Sequence, residues 1–380
     1  MSIMLTRRDD AKMKSLNKAF FLFLLSTLPF ATSSQSARQE RSKDDPVLGD
    51  RIAEGVVFAA RLWLRGTVVR SGDASGALVS VSLADLSRRD DFDSGVLGMK
   101  TIGGDLWVLR QPPSSKMEWI LSVLRNEAFE DRAHFVSQDI DLPIALFNSG
   151  GTPAVLSHTS IRTLSEDGRW SSVRLEGQLR RGVQIQVASP VNGNSAYVGI
   201  NMGEWGGGLQ RVDLKTGKVS SIERRDTKDL CGGPLNSDCD PVTGVIPDLQ
   251  NKDCVLVAIG LVHFLSHGRI LRVCDTKVSV VFEHSEKKEI NGKSLEVSAA
   301  FYGLASTDGG FWAITPGALY RFAVDGNTQV RYPLPKMKPV SGVYMNRDLP
   351  GVIVVRTDVN WAVSLSGYTP LIVPLDEPKP

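Results

Sequence analysis

Apolar positions along this chain come in short runs and not in helical stripes. Segments such as Asp105–Leu109 and Cys254–Gly260 are rich in Val, Leu and Ile, and Gly, Asp, Asn and Pro separate one such segment from the next. Short apolar runs bounded by turn formers predict strands joined by tight turns. A helix would instead repeat its apolar residues every third or fourth position over several turns. The nearest approach to that is Met117–Glu130, where Trp119, Leu121, Val123 and Leu124 suit either period; it reads as strand and loop. The chain is expected to be all-β.

The strands repeat. Leu209–Ile222, Leu319–Tyr332, Ile161–Arg174 and Ile270–Phe282 share one plan, a strand with Arg beside apolar residues, a tight turn, then a second strand. Aligning them places Arg162, Arg211, Arg272 and Arg321 in register, roughly 49, 61 and 49 residues apart, within the range of repeat proteins whose loops vary. Asp167-Gly168, Thr216-Gly217 and Asp325-Gly326 supply the positive φ that hairpins need. Trp361–Val373 is a diverged fifth copy, and Ala77–Leu83 and Asp105–Leu109 with Trp119–Leu124 are weaker ones.

A small twisted sheet cannot bury both faces by itself, so copies stack, and closing the stack into a ring leaves only short, protected edges. With this period and turn chemistry the chain resembles the general β-propeller class. It lacks the Trp-Asp ending of WD40 blades and the Gly-Gly pattern of kelch blades, so no family within the class is named. The expected architecture is a seven-bladed β-propeller, with six or eight blades as alternatives. Its units run about 50–93, 94–126, 127–178, 179–224, 225–284, 285–336 and 337–378, about 47 residues each. A β-sandwich pair or an open solenoid would be the competing arrangement.

The N-terminus departs from this pattern. Lys12, Lys14 and Lys18 precede an apolar run, Ala19–Ala31, and small residues follow in Thr32–Ala37. That order is the layout of a secretory signal peptide, and about 13 apolar residues fall short of the about 20 a spanning helix needs. The expected organisation is a signal peptide and leader at 1–36, a polar segment at 37–49 and a propeller domain at 50–378. Cleavage follows Ser33 or Ser36 in this reading, and the mature protein is periplasmic or extracellular with no transmembrane segment.

Composition adds three points. An apolar fraction of 42% and a charged fraction of 23% are those of a soluble globular chain, and a net charge of +2 argues against nucleic acid as a partner. The four cysteines, Cys231, Cys239, Cys254 and Cys274, lie in one region of an exported chain and read as two disulfides. Three connectivities are open to them. Mirroring the strands Cys254–Gly260 and Arg269–Cys274 about a loop near Phe264 sets Cys254 opposite Cys274, which leaves Cys231 and Cys239 to close the loop between them.

If strands a to d of each unit run from axis to rim, the b–c loops of all units share one face. His158 falls on such a loop in the third unit, Asn201, Glu204 and Trp205 in the fourth, His263 and His267 in the fifth, and Asp358 and Asn360 in the seventh. Polar and aromatic residues gathered on loops of one face suit a binding surface. Trp205 leads this set, because an indole in a glycine-rich loop either packs or binds. A metal held by Glu204 with the histidines is the weaker reading of the same residues.

No catalytic residue is assigned. The expected innermost strands (Gly55–Ala60, Pro143–Leu146, Val183–Ala188, Gly244–Ile246, Ser298–Gly303 and Gly342–Tyr344) are aliphatic, small or neutral polar, unlike the carboxylate- and amide-lined channel of lactonase-type propellers. Asp248 and Asn346 at strand ends are the exceptions that could face inward. The chain holds no Gly-x-Ser-x-Gly elbow, His-Glu-x-x-His helix or phosphate loop. Asp91–Gly95 resembles a fragment of a calcium loop and reads as a solvated turn. The expectation is thus a monomeric exported propeller that binds a protein, peptide or glycan, with no cofactor. The alternatives are a propeller hydrolase or lyase acting on a lactone or polysaccharide, and a structural cell-envelope protein.

Overall fold

The computed structural model describes residues 51–67, 76–85, 87–182, 184–228, 231–263, 265–290, 292–307, 309–323, 325–326, 329–333, 342–349, 352–358 and 371–374. The leader and polar segment therefore lie outside the described residues, as do Asn360 and Trp361–Thr369 of the diverged copy.

All described sheets are antiparallel. The first holds β1 (Arg51–Phe58), β2 (Arg61–Thr67), β3 (Gly76–Ser82), β4 (Arg88–Ile102), β5 (Asp105–Arg110), β6 (Glu118–Arg125) and β7 (Ala128–Val136). A second holds β8 (Pro143–Ser149), β9 (Thr152–Ser157), β10 (Ser160–Leu164) and β11 (Trp170–Arg174). The third is β12 (Gln184–Ala188), β13 (Ser195–Asn201), β14 (Gly207–Asp213) and β15 (Val219–Ile222). The fourth is β16 (Val242–Pro247), β17 (Cys254–His263), β18 (Leu265–Cys274) and β19 (Lys277–Phe282). A hairpin of β20 (Ser285–Ile290) and β21 (Lys293–Ser298) precedes β22 (Gly303–Thr307), β23 (Gly310–Thr315), β24 (Ala318–Ala323) and β25 (Gln329–Pro333). Last come β26 (Gly342–Leu349), β27 (Val352–Asp358) and β28 (Leu371–Pro374).

The first strands of these groups follow one another around an axis. β4 lies against β8, β8 against β12, β12 against β16, β16 against β22, β22 against β26, and β26 returns to β1. The chain is a β-propeller. Within each blade the strands play different parts. The second strand is sandwiched between neighbouring blades and is apolar on both faces, as in Ala196, Tyr197, Val198 and Ile200 of β13. The outermost strand faces solvent and is mostly polar, as in β7 and β11.

Side-chain alternation along β17 shows how one strand serves two interfaces. Val255, Val257 and Ile259 join Tyr197, Leu209 and Ile222 of the preceding blade. Leu256 and Ala258 join Phe311, Ala313 and Phe322 of the following one. The period of two in a strand turns successive residues to opposite faces, so a continuous apolar run is what this position requires.

Four sequence expectations change. β4 is one strand shared by two blades: Arg88–Phe92 pairs with β3 and Val96–Ile102 with β5. Gly95 lies between the halves with φ 82°, and a Cβ there would stand 2.5 Å from the Gln111 carbonyl oxygen. Asp91–Gly95 is accordingly strand and not a solvated turn, and Asp91 accepts hydrogen bonds from Ser80 and Arg89. The second unit extends to Val136, because β7 pairs with β6 through a tight turn at Asn126 and Glu127, whose φ values are 48° and 66°. Ser298–Gly303 is not an inner strand. Its apolar residues 299–301 cross the glycines of β17 and β18, where a Cβ on Gly260 would stand 2.1 Å from the Phe301 oxygen, and the inner strand is β22.

The fourth change concerns the arginines. Arg211, Arg272 and Arg321 lie opposite Tyr197, Leu256 and Trp312, each the third residue of its blade's second strand. Arg162 lies opposite Val155, the fourth residue of β9. One residue of slip turns a strand side chain to the other face. Arg162 stacks over Phe135 of the preceding blade, 4.8 Å from the ring centroid, while Arg321 covers Trp312 of its own blade.

Candidate functional site

Because strands alternate in direction, the b–c loops and the links from one blade's last strand to the next blade's first lie at the same end of the sheets. His158 is exposed between β9 and β10, and its N–H donates to the Leu142 carbonyl. Asn201 ends β13, and Glu204 and Trp205 form a 3-10 turn, Gly203–Trp205, before β14. His263 ends β17, His267 lies in β18, and Asp358 ends β27. The Gly203–Trp205 turn rests against β17, which brings the loops of the fourth and fifth blades together.

The same end collects exposed apolar side chains. Of the ten large apolar residues exposed among those described, Val136, Ile140, Leu142, Met202, Trp205 and Val262 are on these loops, links or adjoining strand ends. Trp205 is 71% exposed. A scatter of single exposed apolar residues is ordinary, and it is contiguous apolar patches that interaction surfaces carry. Val136, Ile140 and Leu142 were not among the residues expected from sequence. They sit at the end of β7 and in the link that follows it, where exposure depends on how the second and third blades meet.

The Trp205 loop has a rigid floor. Gly206, Gly207 and Gly208 have φ of 74°, 135° and 81°, a conformation that side chains with a Cβ rarely adopt. A Cβ on Gly206 would lie 2.5 Å from the Ser237 oxygen, and one on Gly208 2.6 Å from the Ser237 Cβ. Close approach lets Gly207 N–H donate to the Ser237 carbonyl and Gly208 N–H to the Asp240 carbonyl, both at 2.9 Å. Ser237 lies within the loop closed by the Cys231–Cys239 disulfide, and Asp240 directly follows it.

That loop is held by buried charge. The Arg269 guanidinium donates to Asp240 at 2.5 Å and to the carbonyls of Pro234 and Gly233. Asp240, 2% exposed at its side chain, also accepts from the Asn236 N–H at 2.7 Å, and His267 Nε2 lies 3.6 Å from its second oxygen. Glu223 accepts from Ser237 and Arg225, and Arg225 also donates to Asp238 at 2.9 Å. The carboxylates 223, 238 and 240 at this end are thus bound to neighbours of their own chain.

Asp141, in the link to the third blade, is the corresponding anchor there. Burial opposes its ionisation, but hydrogen bonds from Ser160, Thr159 and Arg162 outweigh burial and hold the carboxyl below its ordinary range. A free Asp titrates near 3.9, so a depressed native value adds stability at neutral pH that is lost as pH falls below about 4. Urea unfolding at pH 7 and pH 3 is expected to show a smaller loss for Asp141→Asn than for the unaltered protein. Equal losses would contradict this role for Asp141.

At the opposite end, Asp248 turns away from the axis and accepts from Arg272 and from the N–H of Gln250. The pocket beside it, lined by Pro247, Leu249, Gln250, Gly310 and Phe311, has about 10 Å³ of space, room for one water. Among the described residues no group of three or more His, Cys, Asp or Glu side chains is placed to hold a metal ion. No described helix is long and apolar enough to cross a membrane.

No family model and no curated protein matches the chain. Among solved structures it is similar to the extracellular domain of a B. thetaiotaomicron protein (14% identity, TM-score 0.45), covering 81% of this chain and 37% of that one. The chain therefore spans well under half the length of that protein. It is also similar to YCF48 from Cyanidioschyzon merolae (12% identity, TM-score 0.47; 81% of this chain, 93% of that one). YCF48 bound to D1 peptide is a third (12% identity, TM-score 0.49; 81% and 89%).

Proposed function

We propose that this is an exported propeller of seven blades that binds a protein or peptide through the end carrying the b–c loops. The observation that carries the reading is Trp205, an indole 71% exposed on a loop whose backbone is fixed against a cross-linked floor. A large aromatic side chain has only two torsions to fix and so loses little conformational entropy on binding, which is why Trp is prominent among the residues that dominate interfaces. The engagement of Glu223, Asp238 and Asp240 by arginine or serine supports binding over acid–base chemistry there. The blade number rests on the succession β1, β4, β8, β12, β16, β22 and β26 around the axis. Export rests on the apolar leader and on two disulfides, bonds that persist in oxidising compartments. In this reading residues 1–36 are removed, 37–49 lead into the domain, and 50–378 form the ring.

A random 12-mer peptide display library, selected on the purified protein, tests the reading. Selected peptides are expected to bind Trp205→Ala about 30-fold more weakly, the equivalent of about 2 kcal/mol for a dominant interface residue. The thermal midpoint of the variant should be unchanged, because the side chain is exposed. An empty selection, or equal binding to the variant, would overturn the proposal.

A further inference from the structure

The link between the second and third sheets, residues 175–182, runs from the Thr159 carbonyl, which accepts from Leu175 N–H, across to Asn201. Leu175 and Leu179 are buried and seat the link on the apolar cluster between the two sheets. That leaves Arg180 and Arg181 exposed. Arg180 N–H donates to the Gln210 side chain at 2.8 Å, and its guanidinium reaches the Gly207 carbonyl at 3.4 Å. The pair is therefore pinned beside the glycine run that presents Trp205. Among the described residues neither arginine has a carboxylate in ion-pair reach, whereas Arg162, Arg224, Arg225 and Arg269 are each paired. Glu176, the acidic residue of the same link, sits at its far end beside Lys218.

We infer that the partner of this surface is a polypeptide segment carrying carboxylates next to a large apolar side chain. The inference rests on the binding reading above and names the ligand's chemistry. Glu223, Asp238 and Asp240 are already bound to their own chain, whereas Arg180 and Arg181 bring positive charge with no carboxylate beside it to the link that flanks the glycine run. Arg presents a fork of N–H donors that fits a carboxylate in two-point contact. The side chains of Met202, which leads into the Trp205 turn, and of Val262, near the end of the strand that turn rests against, are exposed and offer no hydrogen-bonding group to the hydroxyls of a sugar, and they suit an aliphatic or aromatic side chain. Complementary charge also speeds encounter and makes binding sensitive to salt.

Sequencing the pool from the peptide selection, and repeating the selection on Arg180→Glu/Arg181→Glu, tests this. The pool from the unaltered protein is expected to be enriched in Asp or Glu within a few positions of Trp, Phe or Leu. Such a peptide should bind the charge-reversed protein at least 10-fold more weakly, and Arg180→Lys/Arg181→Lys, which keeps the charge and loses the fork, should fall between the two, with affinity falling as salt is raised. Peptides that depend on Trp205 but show no acidic enrichment, or that ignore the charge reversal, would overturn the inference and leave the binding reading standing. An empty selection removes both. Saturable binding of polygalacturonate that competes with the peptides and is lost in Trp205→Ala would assign the surface to acidic glycans and overturn the peptide inference as well.

Discussion

Asp240→Ala is expected to lower the unfolding free energy by about 3–5 kcal/mol, the loss seen when one partner of a buried ion pair is removed. Arg269 would keep the carbonyls of Pro234 and Gly233 but lose its counter-charge, and the Asn236 N–H would lose its acceptor. Because the Gly208 N–H donates to the backbone of residue 240, the disturbance reaches the Trp205 loop directly. Urea titration followed by circular dichroism measures it; a change under 1 kcal/mol would mean that water replaces the carboxylate and that the loop floor is not held by charge. Removing both partners, as Asp240→Ala/Arg269→Met, should recover part of the loss, since no uncompensated guanidinium is then left buried.

Removing the Cys254–Cys274 bond, as Cys254→Ala/Cys274→Ala, is expected to reduce stability by about 2–4 kcal/mol. The bond joins directly opposed residues of β17 and β18, the hairpin that contributes to two blade interfaces; Cys254 is fully buried and Cys274 half-buried. The Cys231–Cys239 bond is placed differently: Cys231 is exposed and Cys239 half-buried. Thiol–disulfide exchange needs access to a sulfur, so dithiothreitol under native conditions should open the rim bond and spare the core bond. Mass-tagging of the freed thiols is expected to show two adducts before unfolding and four after it. Four adducts in the native protein would show that the half-buried Cys274 sulfur is open to attack without unfolding.

Strands and hairpins were legible where turn chemistry was explicit. Asp167-Gly168 and Thr216-Gly217 carry glycines at positive φ, and the strands around them fall where the pattern placed them. Asn126 and Glu127 make an equally tight turn without glycine, so the second blade was cut short at that point. Ser298–Gly303 has the composition of an inner strand, and only the bare backbones of Gly260 and Gly268 show why it lies across a hairpin instead. The extra hairpin β20–β21 is so charged that no apolar periodicity marked it. On the candidate surface Trp205 was legible, because an indole among glycines stands out in one dimension. Arg180 and Arg181 were not: an arginine without a carboxylate beside it is defined by what surrounds it after folding.

The shared strand β4 has a consequence for how the ring can come apart. At the other described blade junctions, neighbours meet chiefly through side chains and links, and a gap there can open without breaking a sheet. Across the first junction the backbone ladder runs unbroken from β1 to β7, so the first two blades must move as one plate. Circular permutants that place new termini in the exposed turn at 165–169 should therefore still close, while a cut within Phe92–Val96 removes the seam's covalent spine and leaves its two halves to find each other by contact alone.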